Sequence, residues 1–115
     1  LFQRDDDNLV LDMPISFAQA ALGAEIDVPT LDGKSKLTIP KGTQPGTAFR
    51  IADEGLPNLR SGRKGDLIVG VRVEVPKKMT KAQEKLLREY AASEDQTVMP
   101  ETQGFWKKVK DLMGG

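Results

Sequence analysis

Neither cysteine nor histidine occurs among the 115 residues, which removes much familiar chemistry at once. No disulfide, no Cys/His zinc site and no imidazole general base can be assembled. There is no Ser-His or Cys-His pair, no His-x-x-x-His, and no glycine-rich turn joining a strand to a helix. The 17 acidic residues contain pairs, but none lies in an apolar context that would raise a carboxyl pKa. Three patterns remain. Asp5-Asp6-Asp7 gathers three carboxylates, yet no second ligand cluster accompanies them, and they read as a solvated turn. Gly42 and Gly46 in the run PKGTQPG suggest a phosphate cradle. A P-loop, however, needs GxxxxGK[ST] ahead of a helix, and residues 47–51 read as a strand with Phe49 inward. Arg60, Arg63 and Lys64 make the 53–66 loop basic, but no aromatics are interleaved, and Lys plus Arg equals Asp plus Glu at 17 each. Nucleic acid is not an expected partner. The chemistry to expect is binding rather than catalysis.

The elements that would position a binding surface can be read in order. Leu9, Leu11 and Met13 alternate with Val10 and Asp12, the pattern of a half-buried strand. Ser16 followed by Gln19 has capping-box spacing and starts a short helix near 17–22, which Gly23 can end in the left-handed conformation. Residues 25–30 alternate again, with Ile26 and Val28 on one face. Asp32-Gly33 predicts a hairpin turn into a return strand, 34–39, burying Leu37 and Ile39. Leu67, Val69, Val71, Val73 and Val75 line one face of the strongest strand. Thr80 and Gln83 repeat the capping-box spacing and open a helix to about residue 92, with Ala82, Leu86, Leu87, Tyr90 and Ala91 as its apolar set. A polar linker, 93–103, leads to a last helical segment. There Phe105, Trp106, Val109, Leu112 and Met113 share one face and Lys107, Lys108 and Lys110 the other.

Such a chain is large enough for one modest core. The fold class expected is mainly β: a small antiparallel β-sandwich with a short inserted helix and C-terminal helices. No apolar run approaches the ~20 residues of a membrane-spanning helix, so no membrane partner is expected. The chain begins at Leu1 without a signal-like segment and is read as a piece of a longer cytoplasmic protein.

Several stretches together resemble the second C-terminal β-domain of the DnaJ co-chaperones, in the zinc-containing form typical of bacteria. They are Pro14-Ile15-Ser16-Phe17, Gln19-Ala20-Ala21-Leu22-Gly23-Ala24, Val28-Pro29-Thr30-Leu31-Asp32-Gly33, Ile39-Pro40-x-Gly42-Thr43-Gln44-x-Gly46, Phe49-Arg50, Gly55-x-Pro57, Gly65-Asp66-Leu67 and Thr80-x-x-Gln83-x-x-Leu86-Leu87. The family pattern usually has Gly where this chain has Asp6, and two Gly in the segment before Gly55, where this chain has Ala52-Asp53-Glu54.

The resemblance implies a division into a hinge (1–8), the β-domain (9–79) and a dimerisation segment (80–115). It implies that unfolded client polypeptides are held in a groove between the first strand and the strand after the short helix. On this chain that groove would involve Leu11 and Met13 facing Ile26 and Val28, with the alternative that all four are simply core. It also implies a homodimer through the C-terminal end, with Leu86, Leu87, Tyr90, Phe105, Trp106, Val109, Leu112 and Met113 at the interface. Clients would pass to a DnaK-type chaperone partner. The J-domain that stimulates it, and the zinc-binding domain, would lie upstream, so no cofactor is expected here. A β-sandwich adaptor or assembly domain unrelated to chaperones is the competing reading.

Overall fold

The computed structural model describes residues 1–94 and 100–114, with the side chains of residues 100 and 103 left aside. Two compact units divide the chain, Leu1–Val75 and Pro76 onward.

The first unit is a two-layer β structure. One layer has four strands in the order β1 (Phe2–Asp5), β2 (Asn8–Ser16), β6 (Leu67–Glu74), β5 (Ala48–Ile51); the other is a hairpin of β3 (Ala24–Thr30) and β4 (Gly33–Ile39). The pairings are antiparallel except that β2 and β6 run parallel, with Leu9 opposite Leu67 and Leu11 opposite Val69. Alternation decides what is inside. Leu9, Leu11 and Ile15 of β2 and Leu67, Val69 and Val71 of β6 meet Ile26, Val28, Leu37 and Ile39 of the hairpin in one core, closed by Ala20. Phe2, Met13, Phe49, Ile51 and Val73 pack partly buried around it.

The parallel pair needs a long crossover, which the intervening elements supply. The first of them is α1 (Phe17–Leu22). Ser16 Oγ accepts from the Gln19 N–H at 3.0 Å, and Gln19 Oε1 accepts from the Ser16 N–H at 2.9 Å, so the expected capping box is present in both halves. Gly23 ends the helix at φ 82°; a Cβ there would lie 3.0 Å from the Ile39 carbonyl oxygen. The Gly42 and Thr43 N–H groups then donate to the Ala21 and Ala20 carbonyls, so the glycine loop 40–46 satisfies a helix terminus.

Several details depart from the sequence reading. Residues 2–5, expected in a hinge, form the edge strand β1. The β3–β4 turn is centred on Leu31-Asp32, with Thr30 paired to Gly33 and the positive φ (146°) at Gly33. Strand β6 ends at Glu74, and Val75, expected inward, is 80% exposed ahead of Pro76. Asp6 (φ 54°), where the family pattern has Gly, and Asp53 (φ 63°), within the segment where that pattern has two, adopt the left-handed backbone; a short polar side chain tolerates it.

The second unit contributes α2 (Lys81–Ser93) and α3 (Pro100–Leu112). Thr80 and Gln83 form the predicted capping box, at 3.1 and 2.9 Å, and Arg88 pairs with Glu84 one turn earlier at 2.6 Å. Helix α3 begins at Pro100, a residue suited to the first helical position, within what was expected to be linker. Residues 95–99 of that linker lie outside the described residues.

Candidate functional site

Strand β2 is paired with β6 from Leu9 to Ser16 and with β1 only up to Leu11, whereas β3 is bonded only to β4 and has one side unpaired along its whole length. In an antiparallel hairpin, hydrogen-bonded and non-hydrogen-bonded pairs alternate. Counting from the bonded Thr30–Gly33 pair, the backbone N–H and C=O groups of Glu25 and Asp27 turn to the outer edge of β3, with the carbonyl of Pro29. Pro29 has no N–H to offer there, which shortens the usable edge. Among the described residues no hydrogen bond covers it.

The two faces flanking this edge differ. Outward, Asp27 stands opposite Lys36, with Nζ–Oδ1 3.0 Å, and the longer Lys36–Glu25 and Lys34–Asp27 contacts are both 3.8 Å. The hydrogen bond from Lys36 holds the Asp27 carboxyl below the usual range, and the same bond raises Lys36. Inward lie the groove candidates. Leu11 (1% exposed), Val28 (0%) and Ile26 (9%) are core side chains and offer a ligand almost no surface; Met13 is half-buried at the margin. Their inward alternation was legible, but not that the opposing sheet would cover three of them. What the sequence reading missed is the backbone edge, because it depends on which strands pair.

The assembly candidates sit differently. Leu86, Leu87 and Tyr90 on α2 and Phe105, Trp106, Leu112 and Met113 on or just after α3 are all exposed, and Val109 is half-buried. Phe105 and Trp106 meet edge to face, with centroids 5.4 Å apart. Each helix thus carries exposed apolar side chains, and no residue of α2 is buried.

A network missed by sequence reasoning joins the β1–β2 turn to the 53–66 loop. The Leu56 N–H donates to the Asp7 carbonyl at 2.7 Å, Asn58 Nδ2 to Asp7 Oδ2 at 2.6 Å, and the Asp66 N–H to Asn8 Oδ1 at 2.8 Å. Arg50 Nη1 lies 2.7 Å from Asp66 Oδ2, and the Asp53 N–H donates to Asp66 Oδ1. Arg50 first, then that N–H, hold the Asp66 carboxyl below its ordinary range. Among the described residues, no group of three or more Asp, Glu, His or Cys is placed to hold a metal, and no helix is long and apolar enough to cross a membrane.

A two-layer β-domain with a capped helix inside its crossover, followed by a helical C-terminal unit, defines the class. Residues 1–76 match the model of the DnaJ C terminal domain and residues 82–115 that of the Chaperone protein DnaJ C-terminal region. The chain belongs to the DnaJ C-terminal domain family. It is 49% identical over 114 residues to a Chaperone protein DnaJ of Halothermothrix orenii, covering 99% of this chain and 30% of that protein. The corresponding protein of Rhodopirellula baltica is 52% identical over 110 residues (96% and 28%), and that of Bacillus cytotoxicus 55% over 94 (82% and 26%). The chain thus spans about 30% of the length of the curated relatives it matches.

Proposed function

We propose that this chain is the client-holding and pairing end of a DnaJ-type molecular co-chaperone. Extended segments of unfolded polypeptide add as a strand along the free edge of β3, at Glu25 and Asp27, with Met13 as the adaptable apolar contact. Residues 80–115 join two chains through the apolar faces of α2 and α3. The full-length protein, in the cytoplasm, passes clients to a DnaK-type chaperone. No catalytic step, cofactor, nucleic acid or membrane enters this role for the chain itself.

The observation that carries the reading is the match of both segments, 1–76 and 82–115, to DnaJ family models, with relatives named as chaperone proteins. The open edge of β3 supports the mode of holding. The test is an amide-resolved titration of the chain with an uncharged Leu-rich peptide. Weak binding should shift the amides of residues 24–29 together with the Met13 methyl signal. Shifts absent from both would sink the edge assignment.

A further inference from the structure

Strands β5 and β6 are antiparallel neighbours, and a loop of two to five residues would join such a pair. The chain instead makes an excursion over residues 52–66 and folds it into a second, smaller hairpin. Its base is a close-packed seam. The Gly55 N–H donates to the Gly65 carbonyl and the Gly65 N–H to the Leu56 carbonyl, and Pro57 pairs with Lys64. Its tip is tied by one residue. Asn58 Oδ1 accepts from the Arg60 N–H at 2.9 Å and the Ser61 N–H at 3.0 Å, and the Asn58 carbonyl accepts from Gly62 at 2.8 Å. The Asn58 N–H donates to Arg63, and its side-chain amide anchors on Asp7.

What this scaffold holds up is Leu59, 98% exposed, with Arg60 and Arg63, also exposed, on the same tip. Neither guanidinium has a carboxylate partner among the described residues, whereas Lys64 reaches Asp32 at 3.5 Å. Asp7 is taken by Asn58 and Asp66 by Arg50. The acids Asp5, Asp6, Asp53 and Glu54 belong to the turn and the strand end at the base of the excursion. Fixing backbone without burying surface is unfavourable by itself, but a side chain already fixed loses less freedom on binding.

We propose that the tip 59–63 is a docking point for an acidic polypeptide segment that also carries a large apolar side chain. Leu59 supplies the apolar contact, and Arg60 and Arg63 pair with carboxylates of the same segment. A single apolar side chain with no aromatic neighbour, on a chain of zero net charge, favours a peptide over a lipid surface or a nucleic acid.

The test uses the whole 115-residue chain and a synthetic peptide of alternating Glu and Leu, with a Lys-for-Glu version as control. The Glu peptide should shift the amides of 58–64, and 0.5 M salt should weaken it. The double change R60E/R63E should weaken it by about tenfold or more, and Leu59→Ser by several-fold, both without moving the thermal midpoint because these side chains are exposed. Asn58→Ala, which unties the tip but keeps Leu59 and both guanidiniums, should also lower affinity. Equal binding of the Lys peptide, an R60E/R63E affinity within twofold of the parent, or shifts confined to residues 24–29 would overturn the proposal. So would a single-stranded oligonucleotide or an anionic phosphatidylglycerol vesicle that displaces the Glu peptide from the tip. The uncharged peptide at the β3 edge is read separately, so either idea can fail alone.

Discussion

Gly65 is where the first unit is least forgiving. A Cβ there would fall 2.1 Å from the Asp7 carbonyl oxygen and 2.4 Å from its carbon, backbone atoms that can only yield by moving the β1–β2 turn. Gly65→Ala should therefore lower stability by about 1–3 kcal/mol in a urea titration, the range for overpacking. An unchanged midpoint would mean that the turn and the loop are not pressed together. The next residue, Asp66, carries the titration of the same network. Folding lowers its pKa through Arg50 and the Asp53 N–H, so the folded chain binds this proton less tightly than the unfolded one. The stabilisation is complete above the ordinary Asp value of about 4 and is lost as the pH falls through the lowered folded value. Stability should thus decline on the acid side, and Asp66→Asn should flatten that decline while leaving the slope near pH 7 unchanged. Lys36 runs the other way: its pKa is raised by Asp27, so that contribution fades only in strong alkali.

At the scale of elements, the two sheets divide the groove candidates into core and margin. Val28 is fully buried and Met13 half-buried. Val28→Ala should cost about 1–3 kcal/mol in stability by the loss of buried methyl groups and the cavity they leave. Met13→Ala should cost less stability, yet weaken binding of a Leu-rich peptide. The reverse ranking would place Met13 in the core and remove it from the edge. Local signals carried much of this architecture. Ser16/Gln19 and Thr80/Gln83 announced both capping boxes, and the alternation from Leu67 to Val73 announced β6. Other features rest on partners far along the chain and have no local signature. The parallel pairing of β2 with β6 is one, the edge strand β1 another, and the seam between Asp7 and the Gly55–Gly65 loop a third. The burial of Leu11 and Ile26 follows from the sheet opposite, and alternation alone cannot tell a covered face from an open one. Asp6 and Asp53 show the converse: both hold a left-handed backbone without a glycine.

At the scale of the molecule, the second unit leaves the large apolar side chains of α2 and α3 mostly exposed. Burying Phe105, Trp106, Val109, Leu112 and Met113 would contribute roughly 8–15 kcal/mol at about 1.5–3 kcal/mol each. Ordering the nine residues that carry them costs about 1–2 kcal/mol each for the backbone. The two nearly cancel, and helices this short are marginal in water alone, so α3 persists where its apolar face is docked. A second copy of the chain is the proposed occupant, with Leu86 and Leu87 in the receiving surface. Trp106, the only tryptophan, should shift its emission to the red as the dimer dissociates, and Trp106→Ala should raise the dissociation constant by tenfold or more, as truncation of a central aromatic anchor does. The decisive measurement is the mass in solution, followed by sedimentation over a dilution series, of the whole chain beside a chain ending at Ala92. The whole chain should fall from twice the monomer mass to the monomer as it is diluted, while the shortened chain stays monomeric throughout; a shortened chain that remains dimeric at the same concentrations would contradict the pairing role of residues 100–114.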